Sequence, residues 1–277
     1  MKHLKYSILA AILLIISVRC IDEKVLQIET DFTEIPDSTE VPDVYDAYID
    51  SLNPRKYIYL TIDDVPVEGS AYIDSIIALE KVKANLFLIG SLVKGSRRFL
   101  KYHEAFMQNP YIEIYNHSYS HGNNRYKEFY RKPEAVLEDF EKNRTEMNIS
   151  FKIARLPGRN LWIVGERKKN CRQTGTASAQ LLAENGYRIF GWDLEWEYDP
   201  KDCTPAQSVY QLVEEIDEAI SSPRTFTANH VVLLVHNQLF GKQTDGNDLQ
   251  ALIRQLKEKD YTFEYLTLYD SVRNVSE

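Results

Sequence analysis

From Tyr57 onward the chain alternates short apolar runs, rich in β-branched and aromatic residues, with longer stretches of helical spacing, about seven times over. That alternation narrows the fold more than any other feature, because strands separated each time by a helix pair in parallel and are covered on both faces. The strand runs fall at 57–62, 86–89, 112–115, 151–155, 188–191, 231–235 and 262–266. Helical spacing occupies 71–82, 133–147, 177–185, 206–221 and 249–259, and Gly186 stands where a helix end takes a left-handed residue. The class is therefore α/β, as a barrel or as a doubly wound sheet. Both build their active site at the carboxyl ends of the strands, so polar residues directly after an apolar run carry the functional weight.

Residues 1–19 precede this pattern and differ from it. Lys2 and Lys5 stand before an apolar run over 8–16, which is too short to cross a bilayer and suits an export signal. Cys20 follows Ile16-Ser17-Val18-Arg19, a candidate site for lipid attachment after cleavage. Residues 20–53 read as a flexible tether: between Asp22 and Asp50 there are ten acidic residues and one lysine, with no sustained period. One catalytic domain then fills 54–277. Removing 1–19 takes the formal charge from -8 to -11. Such a field repels nucleic acid and anionic membranes, and accommodates acidic substrates only where basic groups line the site. The expected location is the periplasm or cell surface, with membrane contact only through a lipid on Cys20.

Five polar groups follow strand runs. Asp63-Asp64 ends the first, where one carboxylate can hold a metal while its neighbour stays available as a base. His117-Ser118-Tyr119-Ser120-His121 follows the third; a spacing of four puts both imidazoles on one face of a helical turn. One carboxylate and two imidazoles leave a coordination position open, the arrangement of a catalytic zinc site. Arg155-Leu156-Pro157-Gly158-Arg159 closes the fourth strand with a cation able to orient a carboxylate and a glycine with an unobstructed N–H. Trp192-Asp193-Leu194-Glu195-Trp196 follows the fifth, combining acids with indoles suited to stacking on sugars. Leu234-Val235-His236 ends the sixth with a group able to act as an acid near pH 7.

In this order, at successive strand ends, the five groups resemble the NodB-homology polysaccharide deacetylases of carbohydrate esterase family four, over about 57–269. Thr61-Ile62-Asp63-Asp64 is similar to that family's first motif, and His117 to His121 matches its second in full. The resemblance implies a distorted seven-stranded (β/α) barrel. It implies Asp63 as catalytic base and Asp64, His117 and His121 as ligands of one divalent metal, zinc ahead of cobalt or nickel. It further implies that Asp193 holds Arg155, that Arg155 tethers the base, and that the Gly158 N–H serves an oxyanion. Trp196 would line the groove, Leu234 would lie against an acetyl methyl, and His236 would be the general acid. The implied partner is an acetylated polysaccharide, N-acetyl ahead of O-acetyl. The chain departs from the family pattern at Val65, where glycine is usual, at Gly158, where an aromatic is usual, and at Glu195, which replaces the second Asp of a fourth motif one residue short.

Two other classes stay open on the residues alone: a carbohydrate-binding pseudoenzyme, and a metal-dependent hydrolase of a non-sugar amide. Trp192, Trp196, Tyr119 and Tyr198 favour a sugar by stacking logic. Cys171 and Cys203 remain as an even pair in an exported chain, in loops after successive strands, and a disulfide between them is expected.

Overall fold

The computed structural model describes residues 54–222, 224–241 and 248–270. The export signal, the acidic tether and Cys20 lie outside the described residues. None of the described helices is long and apolar enough to cross a membrane.

The strands and helices in chain order begin with β1 (Lys56–Val65), α1 (Ser70–Glu80), β2 (Ala84–Leu88), α2 (Gly90–Gly95), α3 (Arg97–Gln108) and β3 (Ile112–Asn116). They continue with α4 (Tyr126–Phe129), α5 (Pro133–Glu146), β4 (Ile153–Ala154), β5 (Trp162–Val164), β6 (Arg167–Lys169), α6 (Thr176–Glu184), β7 (Arg188–Ile189) and β8 (Leu194–Glu195). The last are α7 (Val209–Ser221), β9 (His230–His236), α8 (Leu249–Glu258) and β10 (Tyr261–Phe263). Seven parallel strands run in the order β7-β4-β3-β2-β1-β9-β8, the distorted barrel that the alternation and the resemblance call for. Among the described residues β7 and β8 do not pair with each other, so the barrel is open at that seam.

The structure adds elements that the pattern does not announce, and it takes the strand run at 262–266 off the path of the barrel. An antiparallel hairpin, β5 and β6, extends the sheet beyond β7, and β10 pairs with the start of β1 instead of closing the barrel. Helix α3 buries Phe106 alone, so its apolar stripe is too thin to stand out; the Ser96 side chain caps it by accepting from the Phe99 N–H. β4 and β7 have two residues each, shorter than the runs at 151–155 and 188–191.

Alternation along the strands sorts the core into two layers. Ile58, Leu60, Ile62 and Val65 of β1 pack outward with Ile73, Ile77, Leu252 and Ile253 of the helices. Tyr59 points inward with Phe87, Tyr115, Phe190, Val232 and Tyr269. Each fully buried aliphatic side chain contributes about 1.5–3 kcal/mol of transfer free energy, so the outer layer dominates what holds the helices on.

One irregularity decides the site. β1 pairs with β2 through Ile62 and Leu86, then through Val65 and Leu88, so β1 carries one residue more than its partner. Ile62 and Val65 both face the helices, and the two residues between them, Asp63 and Asp64, are both turned to the other side. Asp64 makes this turn in the left-handed region, at φ 63, as a β-bulge allows.

Candidate active site

The bulge delivers the two carboxylates to one place at the mouth of the barrel. Asp63 Oδ2 lies 3.7 Å from His117 Nε2, while Asp64 Oδ1 lies 3.4 Å from His117 Nε2 and 3.2 Å from His121 Nε2. The ring centroids of His117 and His121 are 5.1 Å apart. They are not brought together by a helical turn, as their spacing suggests. The loop between them is non-helical, with Ser118 at φ 70 and His121 at φ 52. Asp139 of α5 fixes that loop, its Oδ2 accepting from the Ser118 hydroxyl at 2.5 Å, the Tyr119 N–H at 2.9 Å and the Ser120 N–H at 3.2 Å. Buried Asn116 and Asn143 brace it further, since Asn116 Oδ1 accepts from both the Ser118 N–H and the Asn143 amide.

The tautomers follow from these partners. His117 Nδ1 is 2.9 Å from the Arg155 carbonyl, a contact only an Nδ1–H can make, and His121 Nδ1 is 2.9 Å from Asn124 Oδ1. Each ring therefore turns the lone pair of Nε2 towards Asp64 Oδ1, a buried oxygen with no hydrogen bond among the described residues. Three ligand atoms within 4.8 Å of one another form a donor set that fits a divalent cation, with each imidazole oriented by a second partner. Protons relieve the same crowding otherwise. Burial works against the charge on His117, but Asp63 and Asp64 outweigh it and raise its pKa. Burial also opposes ionisation of Asp64, yet the contacts with His117 and His121 hold it well below the ordinary carboxylate range.

Gln238, in the turn after β9, donates its amide to Asp64 Oδ2 at 2.9 Å. The bond occupies one carboxylate oxygen and leaves the other aimed at the imidazoles. Gln238→Ala should therefore weaken metal affinity by about 10–100-fold, read by competition against a chromophoric chelator. Unchanged affinity would remove Gln238 from the site. Nothing in the sequence marks this residue, because its role depends on the pairing of β9 with β1, which sets the turn after β9 beside Asp64.

Asp63 forms a buried ion pair with Arg155, Nη1 donating to Oδ1 at 2.8 Å. Arg155 is itself held by donating to Thr61 Oγ1 at 2.8 Å, the Gly191 carbonyl at 2.6 Å and the Phe190 carbonyl at 3.2 Å, and it lies 4.3 Å over the Phe87 ring. Burial lowers the Arg155 pKa, and Asp63 pulls it back up. The expected Asp193–Arg155 tether is absent. The Asp193 carboxylate instead accepts from the Phe226 N–H at 2.7 Å and the Val232 N–H at 2.8 Å, holding β9 and the segment before it to the residue that precedes β8. Asp193 is thus a brace of the fold. Burial, only partly offset by those two donors, raises its pKa to about 6. A carboxyl raised in the folded state favours folding when protonated; that contribution is complete below the ordinary carboxylate value and lost as pH rises through about 6. Asp193→Asn mimics the protonated group at the cost of one hydrogen bond. It should flatten this part of the pH–stability curve, worth about 3 kcal/mol between its limits, in urea titrations from pH 4 to 8. A wild-type slope retained in the variant would contradict the assignment.

His236 stands beside Asp63, directly paired in register across β1 and β9. Its Nδ1 is 3.5 Å from Glu195 Oε1, and Tyr198 lies 5.5 Å from its ring. Burial raises the Glu195 pKa, opposed by His236. On β8 the alternation turns Glu195 to the site and its neighbours away from it, so Trp196 is fully buried in the outer core with its indole N–H donating to the Gln207 carbonyl at 3.0 Å. Trp196 therefore cannot line a groove. Leu234 is buried on β9, one layer beneath His236 on the same strand face. Gly158 adopts φ 63, and the Tyr126 ring fills the space beside it: a Cβ there would sit 2.8 Å from that ring. Tyr126 also meets the His121 ring edge-on at 5.5 Å. Tyr126 thus lies beside His121 and Tyr198 beside His236, and of these two rings only Tyr198 has a sequence signal, its closeness to the fourth group, Trp192 to Trp196. Cys171 and Cys203 are both free, contrary to the expected disulfide. Cys171 packs at the edge of the cluster around Tyr130 and Leu161, whereas Cys203 sits in a left-handed turn at φ 63 beyond β8.

Residues 50–157 match the polysaccharide deacetylase family. A peptidoglycan-N-acetylglucosamine deacetylase of Bacillus cereus is 27% identical over 218 residues, which span 76% of this chain and 69% of that protein. A carbohydrate esterase of family four from Streptococcus mutans has a similar structure, with a TM-score of 0.55 at 19% identity over 79% of this chain and 89% of the other. The catalytic domain of a peptidoglycan N-acetylglucosamine deacetylase from Eubacterium rectale gives the same TM-score of 0.55 at 22% identity, over 78% and 91%. At these identities the two structures speak to the fold.

Proposed function

This chain belongs to the polysaccharide deacetylases of carbohydrate esterase family four, and from that premise we propose that it hydrolyses N-acetyl groups on a polysaccharide, releasing acetate and leaving a free amine. The observation that carries the reading is the convergence of Asp64, His117 and His121 beside the Asp63–Arg155 pair, with His236 abreast of Asp63 on the neighbouring strand. A base and an acid thus flank one donor set.

Asp64, His117 and His121 would hold one divalent metal, zinc on the chemistry of two imidazoles and a carboxylate. When bound, such an ion polarises a carbonyl and acidifies water. The chain's own residues account for the rest. Asp63, held in place by Arg155, takes the proton from the attacking water as it adds to the acetyl carbonyl. The Gly158 N–H, which donates to no group among the described residues, is available to the carbonyl oxygen as charge develops. His236, with Glu195 behind its Nδ1, gives a proton to the departing nitrogen from Nε2. Tyr126 and Tyr198 offer apolar faces to the sugar on either side.

The relative from Bacillus cereus acts on peptidoglycan, and a cell-wall glycan suits a chain whose first residues read as an export signal. Acetate release from a panel of acetylated polysaccharides, with and without added zinc, cobalt or nickel, tests the proposal. Release that depends on metal supports it; no release from any acetylated glycan, under any of the three ions, removes it.

A further inference from the structure

The loop that carries His121 has a second side. Directly behind it lies an open cavity of about 590 Å³, lined by Gly122, Asn123, Arg125, Glu128, Phe129 and Lys132 among others. That volume is within the range of small-ligand sites and suits one or two sugar rings. Its wall is continuous with the site already described: Gly122 is the next residue after His121, and Asn124, between Asn123 and Arg125, holds the His121 ring. The Phe129 ring is fixed against the loop, since a Cβ on Gly122, at φ 57, would lie 2.9 Å from it. A flat, half-buried aromatic face beside a catalytic loop is a stacking surface for a sugar.

The charge at this cavity is opposite in sign to that of the chain. Overall the formal charge is -8, yet the charged residues lining the cavity are two cations, Arg125 and Lys132, and one carboxylate, Glu128. Both cations are exposed, and neither has an ion-pair partner among the described residues. A neutral sugar would be served by the aromatic face and polar groups alone. Two unpaired cations on an otherwise acidic protein specify an anion, and a guanidinium is suited to bidentate capture of a carboxylate. We propose that this cavity is a subsite for a carboxylate-bearing sugar of the glycan, adjacent to the residue that is deacetylated, so that the substrate is an anionic N-acetylated polymer. The assignment of the sugar as a neighbour in the same chain rests on the deacetylase reading.

Equilibrium binding separates the two ideas, because it needs no turnover. Isothermal titration of the full protein would compare a hyaluronan hexasaccharide, which alternates carboxylate-bearing and N-acetylated sugars, with the neutral N-acetylglucosamine hexamer. At low salt the wild type should favour the acidic oligosaccharide by about tenfold, the scale of a charge-assisted pair, and the preference should fade as salt is raised. In Arg125→Ala/Lys132→Ala the ratio of affinities should collapse towards one, Arg125→Lys/Lys132→Arg should retain it, and Glu128→Gln should enlarge it. Equal affinity of the wild type for both oligosaccharides, no measurable binding of the acidic one, or a preference that survives the double alanine variant would overturn the subsite. Failure to release acetate from any substrate would instead remove the deacetylase reading and leave the binding result to stand on its own.

Discussion

Asp63→Asn is expected to lower acetate release by about 10²–10⁴-fold, the usual contribution of a positioned general base, while the protein keeps a full complement of metal. The expectation follows from the division between the two adjacent acids. Asp63 is committed to Arg155 at 2.8 Å and sits 3.7 Å from the nearest imidazole nitrogen, whereas Asp64 Oδ1 faces both imidazoles at 3.2 and 3.4 Å. An amide at position 63 keeps one oxygen for the Arg155 guanidinium but cannot take a proton from water. Elemental analysis and acetate assays on the same preparation decide the matter. Near-normal turnover, or loss of metal together with activity, would mean that the roles of Asp63 and Asp64 are assigned the wrong way round.

His121→Ala should have the opposite signature: bound metal falls from stoichiometric to near zero, and activity is lost with it. Only two protein ligands, Asp64 and His117, would remain where a catalytic site uses three. The fold should survive, because the His121 side chain is partly exposed and its loop is held from behind by Asp139. A melting temperature close to wild type, with metal absent by elemental analysis, is the expected pair of observations. Stoichiometric metal in this variant would rule out the proposed centre.

How far the sequence alone reaches depends on whether a residue acts through its own segment or through another. Strand runs at β1, β2, β3 and β9 are legible because a buried parallel strand is apolar throughout, and the groups after them arrive together because parallel strands all end on one face. Trp196 misleads for a local reason: one step of alternation on β8 sends it into the core and gives the site to Glu195, one of the three residues at which the chain departs from the family pattern. Asp193 misleads for a distant one, since its backbone partners, Phe226 and Val232, lie more than thirty residues away in the chain. Gln238, Asp139 and Tyr126 have no motif. Each acts across a contact between elements that only the folded chain creates. The spacing of the histidine pair suits a helix, although a loop with left-handed residues provides the geometry.

The extra residue in β1 makes the site a matter of chain length as well as of residue type. Ile62 and Val65 are both anchored among the helices, and the stretch between them is long enough for two inward side chains only because β2 spends one residue fewer over the same span. Shortening β1 there by a single residue would restore strict alternation and leave room for one acid, so either the proposed ligand or the proposed base would be gone although every other group remained. A relative could therefore keep the histidines, the arginine and the barrel and still have lost its chemistry through a deletion that no comparison of aligned side chains would weigh as a catalytic change.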